Sequence, residues 1–586
     1  MANLRKWIVG LTFIGALWVS GIVKAQGVEE NEQIYLNQVG YLPWAKKNAS
    51  LPGEKWNLFH VRRTDNGQSV FSGHLKKSGL WKSSGEDLVV ADFSQFQIEG
   101  EYYLEIPGKV KSSSFHISSN CYSEVLKASA KAYYFWRCSF PIEEQFGGQW
   151  HRSAGHPDTV VYVHPSAATR KRPAGTAISS PGGWYDAGDY NKYIVNSGIS
   201  TYTLMAAYEF SPTQFNSLEW NIPESGNDVP DLLDEVLYNL NWMLSMQDPN
   251  DGGVYHKLTT ANFGGESLPH EVRPAKRYLV QKTTGATLNF SAVTAMASRV
   301  FKEINPVLAD RCLIASEKAW KWAKQNPRVL YKQEELNEKF EPDINTGAYN
   351  NKKVKDEFAW AASELYLSTQ KKEYLKHWQN YYSSVHHIGV PSWGNTAMLG
   401  IYSLLQNRDT AVKLSLQDIQ VLKKHLLKQA DALVKSYWRS PNRTAFGNEE
   451  SDFKWGSNAV AANQGMLLLN AWKLTGKQFY YNAAQSNLDY ILGRNATGYC
   501  FVTGIGQKSP QHPHHRISAA DGVDAPVPGL LVGGACSMSL PNFSFPSEYP
   551  AKRYLDDYSC YVTNEVAINW NAPLVFLIGG ILKGNH

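Results

Sequence analysis

The sequence predicts a mainly α protein: a toroid of α/α hairpins preceded by a small β-sandwich. Three observations carry this expectation. From residue 119 onward, apolar residues recur at helical spacing in a dozen segments joined by long loops. Residues 26–118 hold short β-prone runs separated by turn signals. A chain of 586 residues exceeds one ordinary core, so two or more domains are expected.

The N-terminal segment is read as a cleavable export signal, residues 1–25. Arg5 and Lys6 precede an apolar run from Trp7 to Val23, and Val23-Lys24-Ala25 supplies the small residues that a signal peptidase reads. A retained anchor is the competing reading. The run is short for spanning and Gly10, Gly15 and Gly21 interrupt it, which favours cleavage after Ala25. No Cys follows the run, so no lipid anchor is expected. The product would be secreted or periplasmic, with no membrane attachment after cleavage.

In 26–118, Ile34-Tyr35-Leu36, Leu88-Val89-Val90, the run 102–106 and the run 114–117 read as strands, and Asp65-Asn66-Gly67 as a turn. Short strands at this spacing suggest a sandwich. The texture changes at Ser119-Asn120, either of which can cap a helix over 121–137. Further helices are expected at 194–209, 230–247, 288–303, 309–324, 356–368, 371–384, 394–405, 416–437, 457–474, 478–492 and 566–582. Loops long enough to carry function point to a toroid rather than a short-loop bundle. No internal repeat indicates a solenoid.

Hydrophobic residues make up 43% and charged residues 19%, as in a folded soluble protein. The net charge of +5 is spread along the chain without a basic block, so nucleic acid is not an expected partner. Most of the 19 Trp, 32 Tyr and 23 Phe must be core; the surplus suits a cleft where ring faces meet sugar C–H faces. The scattered cysteines at 121, 138, 312, 500, 536 and 560 read mainly as buried thiols, since a chain this long needs no staples.

Three segments carry candidate chemistry. The run Gly182-Gly183-Trp184-Tyr185-Asp186-Ala187-Gly188-Asp189-Tyr190 sets two carboxylates three residues apart among glycines and aromatics. Such a pair can activate water, bind calcium or close an Asx-turn. His512-Pro513-His514-His515-Arg516 lacks the ligand spacing of a zinc site and better suits hydrogen bonding to a polar substrate. Glu565 stands at the edge of an apolar run ending in Phe576-Leu577-Ile578. A carboxyl crowded by such neighbours has the raised pKa that a general acid needs, whereas a helix-start Glu is favoured by the dipole alone.

The three segments together resemble glycoside hydrolase family 9, the inverting cellulase family, from about residue 33 to the C terminus. The D-A-G-D loop, a P-H-x-R box and a Y-x-D box followed by Y-x-x-x-E-x-A-x-x-x-N-A occur in the family's order. The N-terminal β segment and the run 526–534 resemble the subgroup with an immunoglobulin-like domain before an (α/α)6 barrel. The resemblance implies an immunoglobulin-like sandwich over 26–118 and a catalytic barrel over 119–586. It implies an endo-β-1,4-glucanase acting on cellulose, mixed-linkage glucan or xyloglucan, with no cofactor for the chemistry. Asp189 would be the base, Asp186 would orient the water, and Glu565 would protonate the departing oxygen. His514 and Arg516 would hold sugar hydroxyls, with Asp556 as support. Both aspartates are expected ionised and Glu565 protonated near neutral pH.

Departures from the family pattern shape the metal expectations. Relatives often hold a structural zinc. Cys138 and His156 are in place here, but Gly155 and Lys192 stand where the other two ligands would be, so no zinc is expected. Calcium is a candidate ligand at Asp231, Asp234 and Glu235; the run 346–351 ahead of Asp356, with Asn350 and Asn351 where an acidic residue is common, resembles a second, weaker cluster. A helix-capping acidic surface explains both equally. An exo-acting β-glucosidase or cellodextrinase is the alternative if the 500–550 segment or the N-terminal domain walls off the cleft. A polysaccharide lyase is a distant alternative, because paired aspartates would repel a uronate. No carbohydrate-binding module or dockerin-like repeat follows the last helix, which favours soluble or amorphous glucan. A monomer is expected.

Overall fold

The computed structural model describes residues 33–53, 57–350, 352–408 and 414–584. The export signal expected at 1–25 lies outside them. Among the described residues, twelve helices have ten residues or more: α1 (Ser123–Phe135), α2 (Ile194–Phe210), α3 (Asp231–Ser245), α4 (Thr284–Val300), α5 (Pro306–Gln325), α6 (Lys355–Thr369), α7 (Lys372–Ser384), α8 (Ala397–Gln406), α9 (Leu416–Arg439), α10 (Ser457–Thr475), α11 (Gln478–Ile491) and α12 (Ile568–Lys583).

The even-numbered helices form a closed ring. α2 packs on α4, α4 on α6, α6 on α8, α8 on α10, α10 on α12, and α12 returns to α2. The odd-numbered helices lie outside, α1 against α12, α3 against α2, α5 against α4, α7 against α6, α9 against α8 and α11 against α10. This is the (α/α)6 barrel that the resemblance implies.

Burial explains which helix goes where. In α4 the residues from Thr284 to Ser298 are all buried, as an element surrounded on every side must be. In α9 only Leu422, His425, Leu426, Ala430, Val434 and Tyr437 are buried, a single stripe at helical spacing. The inner helices carry many buried polar residues, and these bond back one turn. Ser200 donates to the Asn196 carbonyl at 2.8 Å, Thr294 to Phe290 at 2.8 Å and Asn463 to Ala459 at 2.8 Å. The sequence places the α4 start four residues late. Thr283 caps it by accepting from the Ala286 N–H, and a Thr-Thr-Gly start reads as loop.

The N-terminal strands are β1 (Gly40–Tyr41), β2 (Asn48–Pro52), β3 (Leu58–Arg63), β4 (Ser69–His74), β5 (Lys76–Trp81), β6 (Glu86–Asp92), β7 (Gly100–Ile106), β8 (Val110–Lys111) and β9 (Phe115–Ile117). One sheet runs β1-β9-β7-β3-β4 with β8 on β7, and the other β2-β6-β5. Phe59, Val61, Ala91, Tyr102, Leu104 and Phe115 fill the space between them. The sandwich is welded to the barrel: Leu42, Ala45, Trp81 and Leu88 belong to the barrel's own apolar core. Trp81 donates its indole N–H to the Gly447 carbonyl at 2.8 Å, and Asn37 donates to Asp489 at 2.9 Å and to the Tyr122 hydroxyl at 3.1 Å.

Within the catalytic segment, between α1 and α4 in chain order, lies a third sheet that the sequence does not reveal. It consists of β10 (Val161–Val163), β11 (Ala177–Ile178), β12 (Lys192–Tyr193), β13 (Lys257–Thr260) and β14 (Arg277–Leu279), ordered β11-β10-β14-β13-β12. Strands of two to four residues are too short to show alternation. The six cysteines are free thiols, five of them buried. No helix among the described residues is long and apolar enough to cross a membrane.

Trp81→Ala should lower unfolding stability by about 3–5 kcal/mol, the range for emptying a large buried aromatic site. Urea denaturation followed by tryptophan fluorescence checks this. A cost under about 1 kcal/mol would mean that the sandwich does not depend on this anchor.

Candidate active site

A cleft of about 550 Å³ opens at one end of the ring. Its walls include Asp186, Asp189 and Glu565, together with Tyr193, Phe263, Tyr349, Trp393, Trp455, His514, Arg516, Tyr561 and Trp570. Most of these precede the start of an inner helix. Asp186 and Asp189 come before α2, Tyr349 before α6, Trp393 before α8, Trp455 before α10 and Glu565 before α12. The ring therefore gathers residues 376 positions apart, Asp189 and Glu565, into one wall. It also turns the positive ends of the inner helices toward a site rich in carboxylates.

The D-A-G-D loop is fixed on several sides. The Ile568 N–H at the start of α12 donates to the Asp186 carbonyl at 2.9 Å. Asp186 is buried, and its carboxyl accepts from Asn196 at 2.5 Å and Tyr349 at 2.6 Å. Asp189 accepts on Oδ2 from the Asn191 side chain at 2.6 Å and the Tyr193 hydroxyl at 3.4 Å. Asn191 in turn accepts from Thr259 at 3.0 Å and from the Thr260 N–H at 3.0 Å, tying the loop to β13. Gly188 passes so close to the P-H-x-R segment that a Cβ there would stand 2.1 Å from the His514 carbonyl oxygen. No other residue fits without moving one of the two backbones.

Burial, and then the neighbouring Asp189 carboxylate, raise Asp186 to about 8, despite the donors on both its oxygens. Two carboxyls this close and this dry oppose each other's charge, which adds to the effect of burial on Asp186. Glu565 follows its expectation. Burial first, then Asp189 and Asp186, push it well above the usual carboxyl range, while Arg516 and a hydrogen bond from Trp455 act in the opposite sense.

The P-H-x-R residues differ in role from one another. His514 donates through Nδ1 to the Tyr558 carbonyl, 2.7 Å away; a carbonyl can only accept, so Nδ1 carries the proton. Burial lowers the pKa of His514, so the neutral ring turns an accepting Nε2 to the cleft. Arg516 spends Nη1 on the Gly188 carbonyl at 2.8 Å and Nε on the Gly264 carbonyl at 3.1 Å. It braces the D-A-G-D loop, a role not anticipated from the sequence. Asp556 is not in the cleft wall. It accepts from the Gln511 and His512 N–H groups at 2.7 and 3.0 Å and so sets the entry to the box from behind. Tyr349, Asn191 and Asn196 went unnoticed in the sequence, because single polar residues outside a motif carry no pattern signal.

The calcium candidates do not come together. Asp231 accepts from the Trp220 N–H at 2.6 Å and Ser225 at 2.7 Å, and Asp234 from Asn227 at 3.3 Å. Glu235 is taken by Arg137 at 2.8 Å and by the Trp184 indole at 2.6 Å. Among the described residues, no group of three or more His, Cys, Asp or Glu is placed to hold a metal ion. Zinc does not fit either. A Cβ at Gly155 would meet the Pro269 backbone at 2.4 Å, and Lys192 places a buried ammonium 2.7 Å from Asp158 beside Cys138.

Comparison with known proteins agrees with this geometry. The profile of glycosyl hydrolase family 9 matches residues 122–578, and that of the cellulase N-terminal ig-like domain matches residues 29–111. A xyloglucan-specific endo-beta-1,4-glucanase, BoGH9A, of Bacteroides ovatus is 45% identical over 559 residues, covering 94% of each chain. Endoglucanase D of Acetivibrio thermocellus is 33% identical, covering 96% of this chain and 86% of its own. A solved Bacteroides ovatus GH9 structure superposes with a TM-score of 0.87 at 45% identity, covering 94% of this chain and 98% of its own. With a matching profile over most of its length and the carboxylate cleft at the mouth of an (α/α)6 barrel, the chain belongs to glycosyl hydrolase family 9.

Proposed function

We propose that the protein is an exported endo-β-1,4-glucanase that hydrolyses a β-glucan with inversion, and that xyloglucan is its substrate. The observation that carries the chemistry is the meeting of three carboxyls of unequal protonation, Asp186, Asp189 and Glu565, in one aromatic-lined cleft. The substrate rests on the Bacteroides ovatus relative, whose name specifies xyloglucan.

Inversion needs an acid and a base on opposite faces of the sugar, with a water between the base and the anomeric carbon. Glu565 keeps its proton above the usual carboxyl range, so it can give that proton to the glycosidic oxygen as the bond breaks. Asp189 takes the proton of the attacking water. Asp186, fixed by Asn196 and Tyr349, adds a second polar contact that orients that water. The accepting Nε2 of His514 suits a sugar hydroxyl, and Trp393, Trp455 and Trp570 offer ring faces to successive glucosyl units. No step needs a metal or an organic cofactor.

Glu565→Gln should lower kcat on xyloglucan by about 10²–10⁴-fold, the usual worth of a general acid. On an aryl glycoside with a good leaving group the same variant should lose far less, because that group departs without protonation. Its alkaline limb in the kcat/KM profile should also vanish. Equal losses on both substrates would remove Glu565 from the acid role. Asp189→Ala should be nearly inactive on both substrates while folding normally; near-normal turnover would sink the assignment of the base. Proton NMR of the first product should show the α-anomer, and a β-anomer would contradict inversion. A steep early fall in xyloglucan viscosity with little monomer released is the endo signature.

A further inference from the structure

Lys257 is buried behind the catalytic pair, and no carboxylate among the described residues pairs with it. Its ammonium donates only to neutral oxygens: Gln333 Oε1 at 2.8 Å, the Gly347 carbonyl at 2.8 Å and Thr346 Oγ1 at 3.0 Å. The rings of Tyr193 and Tyr331 cover it at 5.5 and 5.2 Å. The strand pairing sets Lys257 directly opposite Tyr193, whose hydroxyl reaches Asp189. A second path runs from Thr346 through Thr259 at 2.7 Å and Asn191 at 3.0 Å to Asp189 at 2.6 Å. Burying a cation without a counter-ion is costly and needs a compensating gain.

We propose that Lys257 is a positioning residue whose buried positive charge keeps Asp189 ionised as the base. The proposal rests on the reading of Asp189 given above. Near this pair, Arg277 and Lys192 share Asp158, and Arg516 is turned to the Gly188 and Gly264 carbonyls. The other groups facing Lys257 carry no charge: Tyr193, Tyr331, and His256, which burial lowers to about 3 and which stacks on Tyr331 at 4.1 Å. His164, on the far side of the sheet, is also lowered by burial. Burial lowers Lys257 itself to about 7, and Asp189 acts against that shift. The ammonium is thus charged throughout the acidic range in which the base must lose its proton.

The sign is direct. Removing a nearby positive charge makes the base easier to protonate, so the acid limb of kcat/KM moves to higher pH. For charges separated by one aromatic ring in a partly screened interior, the expected move is about one pH unit, or roughly tenfold in the ionisation constant. The test measures kcat/KM against pH on xyloglucan for Lys257→Met, Lys257→Arg, Gln333→Glu and Thr346→Val. Lys257→Met removes the charge, and Gln333→Glu neutralises it with a near-isosteric carboxylate. Both should raise the acid limb by about one unit. Lys257→Arg should restore it, and Thr346→Val, which cuts the hydrogen-bond path but leaves the charge, should not move it. If Lys257→Met fails to fold, Gln333→Glu decides. An unmoved acid limb in folded Gln333→Glu overturns the proposal, even if stability falls. Loss of the base reading itself would show separately, as retained activity in Asp189→Ala.

Discussion

The hydrogen bond from the Ile568 N–H to the Asp186 carbonyl closes the working end of the ring, and the site depends on it. It joins the loop before the first inner helix, α2, to the first turn of the last, α12. The same junction is sealed by packing of α12 on α2 and by the Tyr133 hydroxyl on the Ile568 carbonyl at 2.5 Å. The proposed base and acid, Asp189 and Glu565, lie on the two segments that this closure brings together. An open arc of the same helix hairpins would leave them on opposite ends of the chain. Ring closure thus assembles the carboxylate cleft as well as burying apolar helix faces.

Closure also sets the electrostatics. Three carboxyls crowded into one cleft oppose each other's ionisation, and Asp186 and Glu565 have their pKa values raised by burial and by their neighbours. The asymmetry that inversion needs comes from unequal surroundings rather than from residue type. Asp186 lies deeper and next to Asp189, and Glu565 is crowded by aromatic rings, with Asp189 and Asp186 both opposing its charge. Three residues apart on a tight loop, the two aspartate carboxyls feel each other strongly, and this adds to the burial that raises Asp186.

The helices were legible because each is long and carries a face that must be buried. All twelve appear where apolar spacing placed them, with ends moved by a few residues where a cap such as Thr283 decides. The three cleft carboxyls were legible through local motifs, since D-A-G-D and the Glu565 box compress several constraints into short stretches. What stayed hidden was non-local. Strands of two or three residues have no readable period, and Lys257, Asn191 and Tyr349 acquire meaning only from partners distant in sequence. Partners outside their helix also shape the acidic trio: spacing puts Asp231, Asp234 and Glu235 on one helix face, but Trp220 and Ser225 bond Asp231, and Arg137 and Trp184 bond Glu235.

Buried lysines give the catalytic loop a rigidity that backbone hydrogen bonds alone would not supply. Lys192 donates to the Gly182 carbonyl at 2.7 Å and pairs with Asp158, while Lys257 holds the Gly347 carbonyl and Thr346. Each ammonium joins segments distant in sequence: Lys192 ties Ser180 and Gly182 to Asp158, and Lys257 ties Gln333 to the adjacent Thr346 and Gly347. A neutral side chain would lose these bonds together, so substitution there loosens more than one segment. The same property makes these positions sensitive to charge as well as to shape. A loop braced in this way holds Asp186 and Asp189 at fixed spacing before substrate arrives, and such preorganisation lets the carboxyls act on the transition state without first being arranged by it.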